Sequence, residues 1–216
     1  LSNVIHAFWF FALLGLVYGT LRRRLAWQWA MLGTTVLASL PVEMIQGMNA
    51  YADVFLSAHV YAAAAMLAWA LTSRDGRETL AALRVALLAL ALLPFVKNEG
   101  WALYVPMGLF LSAVTAWILV QRERRLLKPL LLSVAIGMLM LGVVAALWIG
   151  FKISHGLSFG NAKGIDTHLE WQPGVLQAIL VNTFLEGNWN LLPALCLGSI
   201  VLSWKRLWRS PELLLL

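Results

Sequence analysis

The chain has 216 residues, 61% of them hydrophobic and 12% charged, with a mean hydropathy of +0.80. A soluble domain carries about a quarter of its residues as charges, so water is not the main solvent of this chain. The formal net charge of +6 would suit nucleic acid, but basic residues beside apolar runs are read first as determinants of membrane topology, and no nucleic-acid partner is expected.

Apolar runs cover residues 4–20, 25–42, 54–73, 79–96, 101–120, 129–150 and 187–204. They approach the roughly 20 residues a helix needs to cross about 30 Å of hydrocarbon. Barrel strands would instead be about 10 residues of alternating polarity, and no such pattern recurs. The expected fold is all-α, a polytopic transmembrane helical bundle of about seven spans, forming a single membrane domain over residues 1–216. Residues 4–20 have no basic residue before them and no small-residue cleavage site after them, so they read as a span rather than a signal peptide. The start at Leu1 without Met, and the close on Glu212 and four leucines, read as a piece of a longer protein.

Arg22, Arg23 and Arg24, then Arg74 and Arg77, then Arg122, Arg124, Arg125 and Lys128, then Lys205, Arg206 and Arg209 fall in alternate connections. Only Lys97, Lys152 and Lys163 fall in the others, and Arg84 lies within a run. The positive-inside rule makes the first set cytoplasmic and the N-terminus external. The expected location is therefore an integral protein of the cytoplasmic (inner) membrane with its active face extracytoplasmic. Its largest outer loop spans residues 151–186, and residues 172–185 place Val175, Leu176, Ile179, Leu180 and Phe184 at helical spacing behind Pro173 and Gly174. That pattern predicts a short helix lying in the outer interface.

Two outer turns carry the candidate chemistry. The first holds Pro41, Glu43, Gln46, Asn49, Tyr51 and Asp53, unusually polar for a hairpin between spans. A carboxylate at a membrane edge can take a proton from an attacking hydroxyl, bind a sugar hydroxyl or hold a divalent cation. Glu43 and Asp53 are the candidate bases, although Asp53 equally suits the N-terminal dipole of the following helix and Glu43 a solvated loop. The second turn places Lys97, Asn98 and Glu99 before Gly100 between two apolar runs. Ionisable groups at a membrane edge are functional candidates, and a lysine there can hold a phosphate, or can snorkel to the headgroups. Cys196 is the only cysteine, so no disulfide framework or thiolate metal cluster can form. His6 and His59 lack a second histidine at ligand spacing, and no metal site is assigned.

Tyr51-Ala52-Asp53 at an outer span start, followed by Lys97-Asn98-Glu99-Gly100 leading into another span, resembles the mid-region of GT-C type glycosyltransferases. These are polytopic enzymes that use polyprenyl-phosphate sugars, among them the protein O-mannosyltransferases and the lipid A aminoarabinose transferases. The resemblance covers residues 41–125. It implies a polyprenyl-phosphate sugar donor reached through the membrane lipid, with Lys97 on the donor phosphate, Glu99 and Asn98 supporting it, and Tyr51 and Asp53 lining the same cavity. The family's acidic motif in a long first outer loop has no counterpart here, which puts the main base upstream of Leu1. A transporter or permease is the alternative from another class, and a non-catalytic membrane protein the third.

Overall fold

The computed structural model describes residues 2–48, 52–97, 100–157, 173–189 and 191–207. Among these every regular element is helical. Five of the helices are long and apolar enough to cross a bilayer, as in an integral membrane protein. The described residues divide into two compact units, one drawn from the segments 1–54 and 161–209 and the other from 55–160.

In the first unit, α1 (Ser2–Arg22) is followed by a turn in which the Arg22 guanidinium donates to the Leu25 carbonyl at 3.0 Å. α2 (Trp27–Ala38) returns along α1 and stops at Ser39 after twelve residues. Leu40, 1% exposed, precedes α3 (Pro41–Met48), which also packs on α1. Run 25–42 is therefore a helix of about 18 Å, short of the hydrocarbon thickness, and then a break. The physical reason is Pro41, which lacks an N–H to continue α2 but suits the first position of a new helix. The stretch expected as a polar hairpin from Pro41 is thus helical as far as Met48. α8 (Val175–Phe184) forms where an amphipathic helix was expected, with Gly174 at φ 85° before it, a left-handed turn that glycine adopts without strain. α9 (Leu192–Leu207) occupies the last apolar run with sixteen residues. The Val42 amide donates to the Asn188 carbonyl at 3.3 Å, tying α3 to the α8–α9 connection.

The second unit holds α4 (Asp53–Thr72) from Phe55 onward, α5 (Gly76–Val96), α6 (Val105–Arg122) and α7 (Leu127–Ser154). α5 is the central helix, and most of its positions from Thr79 to Pro94 that face neighbours are Ala or Leu. One core cluster joins Leu67 and Leu71 of α4, Leu83 and Leu87 of α5, Leu119 of α6 and Leu130 of α7. A second joins Leu56 of α4, Leu93 of α5, Val105 of α6 and Leu141 of α7. The clusters fix an up-and-down order in which α5 and α7 run parallel, with α4 and α6 opposed to them. The helices approach closely where side chains vanish. A Cβ on Gly108 of α6 would meet the Leu90 side chain at 2.2 Å, and one on Gly137 of α7 would meet Leu87 at 3.0 Å. Small residues at such crossings are what lipid-embedded helices use in place of a hydrophobic driving force.

The unit has two poles. At one lie the start of α4, the ends of α5 and α7 and the entry to α6; at the other lie the two turns that carry Arg74, Arg77 and Arg122 to Lys128. The basic residues assigned to one side from sequence in this part of the chain therefore do share an end of the bundle. Capping reinforces the turns there. The Asp75 carboxylate accepts from the Arg77 amide at 3.0 Å, opening α5.

Candidate functional site

The expected site residues fall on different footings. Tyr51, Asn98 and Glu99 lie outside the described residues. Asp53 is the first residue of α4, where a carboxylate meets the helix N-terminus, and Lys97 is the C-cap of α5, half-buried. Asp53 falls in the first unit and Lys97 in the second. Glu43 belongs to the first unit, within α3, outside the five long apolar helices. It is not a fully solvated loop acid, because burial raises its carboxyl above the ordinary carboxylate range. A carboxyl shifted upward is better matched to proton transfer near neutrality than an exposed one.

The turn that carries Lys97 is shaped by its glycine. The Lys97 amide donates to the Leu93 carbonyl at 3.4 Å, and the Gly100 amide donates to the Lys97 carbonyl at 3.0 Å. A Cβ on Gly100 would stand 2.4 Å from that same Leu93 oxygen, so the backbone can close here only without a side chain. The chain then passes through a π-type turn, Gly100–Tyr104, before α6 begins. Such turns widen a helix locally and are frequent beside functional groups.

Sequence reasoning assigned Lys152 only a topological role, and the structure gives it another. Lys152 is 5% exposed on the last turn of α7, with its ammonium 5.2 Å from the centre of the Trp148 ring. A cation over an indole face is held by the ring quadrupole. Trp148 meets Phe95 of α5 edge-on, with 5.3 Å between centroids, and stacks on Phe151 at 5.8 Å. Phe151 lies in turn against His155 at 4.3 Å. The Phe95–Trp148 contact ties the end of α5 to the end of α7, so that Lys97 and Lys152 each follow a ring of that contact by less than two turns. The available signal was the i, i+4 spacing of Trp148 and Lys152, with Lys152 the only charged residue of α7 beyond its first turn.

Other candidates resolve into structural roles. The Nδ1 of His59 lies 2.7 Å from the Phe55 carbonyl of its own helix. His155 Nδ1 lies 2.9 Å from both the Ser154 hydroxyl and the Phe151 carbonyl. Arg84, within α5, donates through Nε to the Ser133 hydroxyl of α7 at 3.0 Å, and Ser133 donates to the Pro129 carbonyl at 2.8 Å. Among the described residues no group of three or more His, Cys, Asp or Glu is placed to hold a metal ion.

Comparison with protein-family models, with curated proteins and with solved structures gives no match in any of the three. The functional reading therefore rests on these residues and their placement.

Proposed function

We propose that this chain is a membrane glycosyltransferase domain, moving a sugar from a polyprenyl-phosphate donor to an acceptor at the pole that carries Lys97 and Lys152. The observation that carries this reading is Lys152, a nearly buried ammonium on an aromatic wall, joined through Phe95 and Trp148 to the helix end that bears Lys97. Away from bulk water a lysine attracts a phosphate far more strongly than at a surface. An acceptor oxygen attacks the anomeric carbon, its proton passes to a carboxylate, and the sugar–phosphate bond breaks with the electron pair leaving on the phosphate. Lys97 and Lys152 stabilise that leaving phosphate. Asp53 and Glu43 are the candidates to receive the proton. A divalent cation at a carboxylate is compatible with the chemistry but is not required by it.

A second reading, transport of a lipid or small solute, draws support from the interruption between α2 and α3, since transporters often use broken helices at their binding sites. The test is binding of a polyprenyl-phosphate sugar to the chain in nanodiscs, comparing wild type with Lys97→Met and Lys152→Met. Each variant is expected to lose about tenfold or more in affinity, the scale of one charge-assisted contact. Unchanged affinity in variants that unfold at the wild-type temperature would overturn the transferase reading, and solute flux in proteoliposomes would then favour transport.

A further inference from the structure

At the pole opposite Lys97 and Lys152, the α4–α5 turn and the α6–α7 turn enclose a cavity of about 280 Å³. Thr72, Ser73, Arg74, Thr79, Arg122 and Glu123 supply its polar lining, and Leu119 and Leu126 its apolar lining. Arg122 is fixed there because its Nη1 donates to the Leu71 carbonyl at 2.6 Å. Glu123, the acid of the lining, is paired with Arg125, so its charge is already answered. Thr79, 3% exposed, lines the cavity and contributes a hydroxyl to it.

Two guanidinium groups and a hydroxyl around one cavity are complementary to a tetrahedral anion. We infer that this cavity binds a phosphate group. The group comes from the headgroup of an anionic phospholipid or from free phosphate, and the apolar lining at the ends of membrane helices favours the lipid. Basic pockets between transmembrane helices are a general means of holding such headgroups. The site is separate from the donor pole and lies at the other end of the same four helices.

The test uses the full chain in nanodiscs of phosphatidylcholine with added phosphatidylglycerol, reading retained lipid by native mass spectrometry. Wild type is expected to retain phosphatidylglycerol at least about tenfold over phosphatidylcholine. Arg74→Gln and Thr79→Val, the second a near-isosteric change that spares the fold, are each expected to lower that ratio at least about threefold. Arg124→Gln, on the rim but off the cavity, is expected to leave it unchanged. In phosphatidylcholine alone, saturable binding of inorganic phosphate that weakens in Arg74→Gln and Thr79→Val identifies free phosphate as the occupant. Lipid retention that phosphate does not displace identifies the headgroup. No preference in wild type for either probe overturns the site, as does an equal loss in Arg124→Gln, which would reduce it to the general charge of the rim.

Discussion

At one pole of the α4–α7 unit the described cations are two lysines, one of them almost completely buried beside Trp148. At the other they are mainly arginines, and Arg74, Arg77, Arg122, Arg124 and Arg125 are all exposed. The contrast matches what the proposed role of each lysine requires. A charge that fixes topology has only to remain in water and resist transfer, a condition that exposed guanidinium groups meet. A charge that binds within a dry site must be partly stripped of water, and a compact ammonium on a flexible stem, steadied by an aromatic face, is suited to it. Counting basic residues identifies the first kind and overlooks the second, because the second is outnumbered by the first.

The sharpest way to break this comparison is to deform one pole alone. Gly100→Ala places a methyl group against the Leu93 carbonyl, where backbone must move rather than a side chain. The expected cost is about 3 kcal/mol of stability, read from unfolding in detergent, together with loss of donor binding. Retained phosphatidylglycerol binding at the opposite pole would show that the two ends are independent. A smaller effect of opposite sign is expected between the poles. Thr115 of α6 is fully buried, and its hydroxyl has no hydrogen-bond partner among the described residues. Thr115→Val keeps the volume, removes the unsatisfied group and should stabilise the chain by about 1 kcal/mol; destabilisation would mean that the hydroxyl is used.

The smallest expected effect lies outside this unit. Because Glu43 has its carboxyl raised by burial, the folded state holds the proton more tightly than the unfolded one. Its contribution to stability is present below the unfolded value and lost as pH rises through the folded value. Glu43→Gln should flatten that part of the pH–stability curve, and a curve of unchanged slope would remove Glu43 as a titrating group.

The four helices of the second unit were legible in the sequence because each is a long apolar run between charged turns. Run 54–73 corresponds to Asp53–Thr72 and run 79–96 to Gly76–Val96. The division of run 25–42 was not legible, since Ser39, Leu40 and Pro41 scarcely interrupt its hydropathy while Pro41 ends its hydrogen-bond ladder. In the site, the need for a turn at Gly100 could be read from the residues flanking it. The burial of Lys152 could not, because α7 is apolar on nearly every side and its sequence does not reveal which face meets α5. The Arg84–Ser133 bond was hidden for a related reason: it joins residues far apart in the chain, and only the parallel packing of α5 and α7 brings them together.

The length of α7 has a further consequence. Its 28 residues extend about 42 Å, against about 30 Å of hydrocarbon. The excess of about 12 Å is accommodated by tilt or by projection beyond the lipid, and the balance between them depends on bilayer thickness. Since α7 bears Gly137 against α5 near its middle and Lys152 at its end, a change in acyl-chain length acts on the helix as a change of lever angle. The position of the lysine relative to the end of α5 is thereby coupled to the lipids surrounding the protein.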